Sequence, residues 1–424
     1  MSLQAILLLH PLASLSSLAT YLLLIALCVP YTRRILEPRL VHPIPPHQRY
    51  LNAFDTYRGF AASLVAIGHC WWATYPVFAH TQYALQFIAY NAKAVPIFAV
   101  LSGFLIYRST LSIKTIEDLR KYAIRRFFRI YPVYIVGVFL CLFYGQYVSI
   151  PDYNGLSRFV ADAFMLQTVN WPAGFGNPPT WSLYVEVMFY AYLPLLVLTI
   201  GRSRMVWFSA GFLVVLLLAD TQSRVLGLWK FFSIGIVASE TAPHVRKFAL
   251  PCFVAGVAML WWDFYGPAHD WFADFGLTHR HMDGETIGLG LSTALILMSS
   301  PHLDWVGRAF NILPLRLLGL ISYSLYVTHF FYISANFPEI GLFSSLGSPE
   351  MKTVFEKLPE MPFWYLPLVF FPGVYFWALI SFLLVESPGM RFGRWLANRG
   401  KFGDRQNPEP QGVAPAPLQA RTSI

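Results

Sequence analysis

The sequence predicts an all-α fold: a polytopic transmembrane helix bundle of ten core helices plus one additional N-terminal helix. Three observations carry this prediction. Mean hydropathy over the 424 residues is +0.50 and only 12% of them are charged, roughly half the charge that a soluble protein needs to cover its surface. Separate apolar runs of roughly 17 to 25 residues recur along the chain, which suits repeated crossings and not a single anchor. Third, the basic residues alternate by side. With RSTLSIKTIEDLRKYAIRRFFRIYP placed in the cytoplasm, GRSR, HVRK, the segment around Arg308 and RFGRWLANRGK fall on the same side. About three quarters of the Lys and Arg residues are then inside.

The first apolar run, near 5–30, contains LLLIALCVP and is followed by YTRR. It has no basic leader and no small-residue cleavage site, so it reads as a retained helix with its N-terminus outside. The core runs lie near 56–75, 84–107, 131–150, 180–200, 205–220, 225–240, 248–264, 285–300, 313–333 and 363–386. They begin and end in the cytoplasm, with outer loops near 151–178 and 334–362. The domains are therefore 1–49 (extra helix and cytoplasmic linker), 50–391 (transmembrane domain) and 392–424 (a basic, then disordered, cytoplasmic tail). The tail ends in NPEPQGVAPAPLQARTSI, which is Pro- and Ala-rich and expected to be disordered.

Several functional classes are disfavoured. The net charge of +9 is spread over short loops, which points to membrane topology and not to nucleic acid. Cys28, Cys70, Cys141 and Cys252 are isolated, so neither a disulfide framework nor a CxxC site is expected. No GxSxG elbow and no phosphate-cradling Gly-rich loop occurs. The loop HDWFADFGLTHRHMDGE carries His269, His279, His281 and Asp283, but their spacing matches no ligand frame. It reads as a solvated loop, and no metal is expected. No internal repeat is visible, which weighs against a repeat-built transporter.

The ionisable residues inside apolar runs are the candidates for function, because charge at bilayer depth costs free energy. Arg58 and His69 are eleven positions apart in TYRGFAASLVAIGHCWW, three turns plus about 20°, and so share one helix face about 16 Å apart. Asp55 falls about 40° off the same line. In KYAIRRFFRIYP, Arg126 and Arg129 share a face at i, i+3, and two guanidiniums at a membrane mouth can clamp a phosphate-bearing ligand. Ser102 and Gly103 of PIFAVLSGFLIY allow close backbone approach. In NPPTWSLYVEVMFYAYLP, Glu186 is a carboxylate in mid-helix that should face the bundle interior, and Trp181 lies at the outer interface. In ISYSLYVTHFF, Ser322 and His329 are on one stripe with Tyr326 beside it. The plainer reading of these residues is snorkelling for Arg58, a topology signal for the arginines, and helix-to-helix hydrogen bonds for the others.

Taken in order, FDTYRGFAASLVAIGH, IFAVLSGFLI, RRFFRIYPVY, TWSLYVEVMFY, SYSLYVTHF and ESPGMR resemble acyltransferase family 3, polytopic membrane proteins that O-acylate glycans and some macrolides. The resemblance spans roughly residues 50 to 391. Thr56 and Ala99 stand where the family usually has glycine and phenylalanine. The resemblance implies ten core helices, acyl-CoA as donor substrate, and His69 as catalytic base with Arg58 as its motif partner. It also ties Arg126 and Arg129 to donor binding. On this reading acetyl-CoA enters from the cytoplasm, with Arg126, Arg129 and Arg58 at its phosphates and Ser102 nearby. His69 deprotonates an acceptor hydroxyl or becomes acylated, and Asp55 or Glu186 fixes its tautomer. Trp181, Tyr326 and His329 line the acceptor side. The acceptor is expected to be a glycan or a lipid-linked oligosaccharide, the surroundings membrane lipid, and the location a bacterial inner membrane. The competing class is a proton-coupled secondary transporter, since intramembrane Glu, His and Arg also build proton relays.

Overall fold

A computed structural model describes residues 11–30, 34, 50–74, 94–143, 160–165, 177–218, 224–265, 287–336 and 366–399. Among these residues the fold is helical, without a strand. The histidine-bearing loop, most of both outer loops and the Pro- and Ala-rich tail lie outside the described residues. The helices are α1 (Pro11–Cys28), α2 (Tyr50–Thr74), α3 (Ala94–Thr110), α4 (Ile116–Phe143), α5 (Trp181–Ile200), α6 (Arg202–Leu218) and α7 (Arg224–Thr241). They continue with α8 (Ala249–Tyr265), α9 (Ile287–Ser299), α10 (Asp304–Ala309), α11 (Leu313–Leu320), α12 (Ser322–Asn336), α13 (Phe371–Ser381) and α14 (Ser387–Asn398).

Among the described residues, four helical stretches are long and apolar enough to cross a membrane: Pro11–Cys28, Trp181–Ile200, Leu226–Asp263 and Leu368–Asn398. Ala94–Thr110 and Ile287–His302 are apolar but shorter. Helix α2 is not among the four, because Asn52, Asp55, Arg58 and His69 interrupt it. The outward faces are apolar. Leu15, Trp207, Leu218, Trp261 and Leu384 are all more than half exposed, as expected of surface that meets lipid and not water.

The boundaries differ from the sequence expectation in four places. The run expected at 131–150 begins at Ile116, because Thr115 and Asp118 form a reciprocal cap: each backbone N–H donates to the other's side-chain oxygen at 3.1 Å. The run expected at 313–333 is two helices, α11 and α12, separated by a turn at Ile321. The expected end at 386 is passed, since π turns at Leu366–Phe370 and Phe382–Glu386 flank α13 and lead directly into α14. Between α7 and α8 the chain does not break into an open loop; it turns through a 3-10 helix, Ala242–Phe248, and both helices pack on α9.

Helix α3 is the centre of the bundle. Most of its residues are buried, and it packs against α2, α5, α7 and α9, as a helix that is apolar all round should. The contact with α7 is the closest. A Cβ on Gly103 would lie 3.1 Å from the Cα of Gly235, and one on Gly235 would lie 2.9 Å from the Cα of Gly103, so only glycine permits this crossing. Helix α1 sits at the periphery along α13. Thr20 donates to Pro372 O at 2.8 Å, Tyr21 to Leu368 O at 2.7 Å, and Ser17 to Val369 O.

Candidate active site

Helix α2 carries the stripe that its spacing implied, and α12 supplies its partner. His69 Nδ1 lies 2.9 Å from His329 Nε2, and the two rings are nearly parallel at 8°. His329 is fully buried, and its Nδ1 lies 3.1 Å from Leu325 O. A carbonyl only accepts, so His329 Nδ1 holds the proton and donates. In neutral His329 the Nε2 is then an acceptor, and His69 Nδ1–H donates to it. This chain of bonds fixes the neutral His69 tautomer with its proton on Nδ1 and a basic lone pair on Nε2. Asp55 and Glu186, expected to set that tautomer, are engaged elsewhere.

Asp55 faces Arg58 across 3.7 Å, one turn away on α2. Glu186 accepts from Ser102 Oγ at 2.7 Å, and its Oε1 also accepts from the Tyr190 hydroxyl, one turn on along α5. Arg126 stacks over Tyr122 and Tyr190, 5.4 and 5.1 Å from the ring centroids, and donates to Ser109 Oγ at 3.1 Å. Arg129 lies within electrostatic reach of Asp55, Arg58 and Glu386. Sequence reasoning passed over Glu386 as a site residue. It is 2% exposed, and Ser324 Oγ donates to it at 2.7 Å. A carboxylate closing the long apolar run of ESPGMR was the available signal. The N-terminal part of α2 is thus beside a cluster of two guanidiniums (Arg58, Arg129) and three carboxylates (Asp55, Glu186, Glu386).

A small, partly enclosed cavity lies between α2, α3, α5, α7 and α12. Arg58, Ser102, Ser182, Glu186, Ser322 and Tyr326 form its polar side. Val95, Phe98, Ala99, Leu228 and Phe232 form its apolar side. His69 is not part of this lining; its partner His329 has its ring 6.0 Å from that of Tyr326, which does line the cavity. Tyr326 is itself fixed: its hydroxyl donates to Pro179 O at 2.6 Å and lies 2.6 Å from Ser182 Oγ, which donates in turn. Trp181, the first residue of α5, is half-buried against the main core.

The two family departures have local explanations. Thr56 is fully buried and donates to Leu315 O at 3.2 Å, tying α2 to α11. Gly319 of α11 lies against the Asp55 backbone, where a Cβ would come within 2.7 Å. Ala99 is buried in the cavity lining, where its small side chain packs in the main core. Among the described residues, no three His, Cys, Asp or Glu side chains gather as a metal site.

Chemically, the arrangement offers an oriented neutral imidazole, a cavity lined by both polar and apolar side chains, and Arg58 nearer the other end of the same helix, with Arg129 of α4 in electrostatic reach. That combination suits transfer of a group carried on an anionic donor. The acyltransferase MdmB of Streptomyces mycarofaciens is 30% identical over 183 residues, 40% of this chain and 45% of that protein, so the match spans under half of the relative's length. No solved structure matches the chain. The family described as the acyltransferase domain, acyltransferase family 3, matches residues 51–382, most of the sequence and every residue of the site except Glu386, and the chain belongs to that family.

Proposed function

We propose that the protein is a multi-pass membrane O-acyltransferase that moves an acyl group, acetyl in the simplest case, from cytoplasmic acyl-CoA to a hydroxyl of a glycan or lipid-linked oligosaccharide. The observation that supports this most is the His69–His329 pair, whose hydrogen bonds present His69 Nε2 as a base. Arg58, Arg126 and Arg129 provide guanidiniums for the donor's phosphates, which such groups bind with charge-assisted hydrogen bonds. His69 Nε2 takes the proton of the acceptor hydroxyl as its oxygen attacks the thioester carbon. The carbon–sulfur bond breaks, and the imidazolium returns that proton to the departing thiolate, leaving ester and free CoA. His329 is a positioning residue that holds the imidazole orientation through the cycle. Tyr326, in the cavity lining beside His329, faces the acceptor together with Trp181. The N-terminus is outside, the C-terminus in the cytoplasm, and the membrane a bacterial inner membrane.

The test is label transfer. Purified protein is incubated with radiolabelled acetyl-CoA and a glycan and glycolipid pool, and the wild type is compared with His69→Ala. Label incorporated by the wild type and lost in the variant is the expected result. No incorporation into any acceptor, together with proton-coupled solute uptake in vesicles, would replace this reading with a transporter.

A further inference from the structure

A second basic cluster stands apart from the candidate active site, where α14 lies on α4. Gly389, Gly393 and Ala397 recur at i, i+4 and i+8 and turn one face of α14 to its neighbour, so close that a Cβ on Gly393 would come within 2.5 Å of Phe128 Cβ. Arg120 Nη2 donates to Ala397 O at 3.4 Å at the far end of the contact. The opposite face of α14 points outward, with Arg391, Arg394 and Arg399 exposed. Arg391 and Arg394 are within electrostatic reach of each other and of Arg125 on α4. Among the described residues no carboxylate forms an ion pair with any of these four arginines: Glu117 is held by Arg120 and Lys121, and Asp118 by the cap of α4. Aromatic rings run from this cluster toward the apolar surface. Centroid distances are 5.4 Å from Trp395 to Phe392, 5.1 Å from Phe392 to Phe128, 5.3 Å from Phe128 to Phe127 and 4.8 Å from Phe127 to Tyr131. Trp395, Phe392 and Phe127 are each half exposed, and Phe139 continues the Phe127–Tyr131 stripe, also half exposed, at i+8 from Tyr131.

We propose that this face binds one anionic phospholipid, with its headgroup phosphate among Arg125, Arg391 and Arg394 and an acyl tail along Phe127, Tyr131 and Phe139. Charge complementarity selects the occupant. Three guanidiniums without a paired acid favour an anion, and the half-exposed aromatic stripe beside them favours one that carries hydrocarbon. Depth agrees with this. The apolar stretch 366–385 is roughly 30 Å long at helical rise, the thickness of a hydrocarbon core, and Arg391 follows it within two turns on the same continuous helix, at headgroup level. The site is separate from the donor cluster, since Arg126 turns to Tyr122, Tyr190 and Ser109 instead. It therefore stands whether or not acyl-CoA is the donor.

The experiment titrates phosphatidylglycerol or phosphatidylcholine into the full-length protein in an uncharged detergent and counts lipid adducts by native mass spectrometry. The first phosphatidylglycerol should bind about tenfold more tightly than the first phosphatidylcholine, since each guanidinium beside an anionic headgroup strengthens binding by roughly fivefold. Replacing both outer arginines, Arg391→Gln with Arg394→Gln, should abolish that preference. Arg391→Lys with Arg394→Lys should keep most of it, because the charge remains, and Arg204→Gln, at an exposed arginine elsewhere, should leave it intact. These side chains are exposed, and thermal melts without lipid that match the wild type show that the variants are folded. Equal wild-type affinity for the two lipids would overturn the site with no variant needed. So would a preference that survives the glutamine pair, or one that Arg204→Gln reduces as much. Displacement of phosphatidylglycerol by equimolar inorganic phosphate or CoA would overturn it as well, by assigning the cluster to a free anion.

Discussion

The two ends of helix α2 hold their functional groups by opposite means. Toward its C-terminal end His69 is oriented by a relay of hydrogen bonds: a backbone carbonyl sets the proton on His329, and His329 sets the proton on His69. Toward its N-terminal end Arg58 is held among charges of both signs, Asp55, Glu186, Glu386 and Arg129. The difference teaches how one membrane helix can serve two tasks. A base must be neutral before it acts, so it is oriented by neutral hydrogen bonds. An anion-binding group must keep its charge, so it sits in a cluster whose carboxylates lower the cost of burying it.

On this contrast, the histidine end governs turnover and the arginine end governs donor binding. The largest effect is expected from His69→Ala: kcat falls on the order of 10²- to 10⁴-fold, the range of a lost general base, with donor affinity unchanged in an equilibrium binding assay. Arg58→Ala should do the reverse, raising the donor KM by roughly 10- to 100-fold, as for a lost charge-assisted hydrogen bond. Arg58→Lys should recover only part of it, since a point charge lacks the planar fork. A kcat loss in Arg58→Ala at constant KM would erase the distinction between the ends.

A smaller effect is expected from His329→Phe, which removes the acceptor for His69 Nδ1–H. About a tenfold loss of kcat, the worth of roughly one net hydrogen bond, should come with an altered pH–rate profile, because His69 is then free to change tautomer. If the profile stays the same, His329 is only packing. Ser102→Ala should cost about 1 kcal/mol of stability in a thermal melt and leave the pH profile untouched, since it supports Glu186 and not the imidazole.

The smallest effect lies outside the bundle, at the cap of α4. Hydrogen bonds from the Thr115 hydroxyl and then the Lys114 amide hold the Asp118 carboxyl below the usual carboxylate range. Because the folded value is the depressed one, the cap contributes above the ordinary carboxylate range and is lost as pH falls through the lowered value. Hydrogen exchange at residues 116–119 should therefore quicken, relative to the rest of α4, only below about pH 4. Thr115→Ala should quicken it at neutral pH as well.

Much of the site could be read before any fold was known, because helical spacing is a local property. Arg58 and His69 on one face, Arg126 and Arg129 on one face, and Ser322, Tyr326 and His329 on another all follow from residues within a few turns of each other. The partner of His69 did not follow. His329 is 260 positions away, and nothing in the spacing of α2 distinguishes it from Asp55 or Glu186 as the group that meets Nδ1. Glu386 was missed for the same reason: its place near Arg58 and Arg129 depends on the π turn after α13, where one extra residue per turn re-aims the side chain.

Composition and periodicity were enough to establish a helical, lipid-facing protein and the stripe that carries its imidazole and guanidinium, since burial in hydrocarbon constrains every helix in the same local way. Which stripe faces which, where the cavity opens, and which nitrogen of His69 holds the proton were settled by packing. Those outcomes hinge on close backbone contacts such as Gly103 against Gly235 and Gly319 against Asp55. They join segments far apart in the chain, and no local pattern records them.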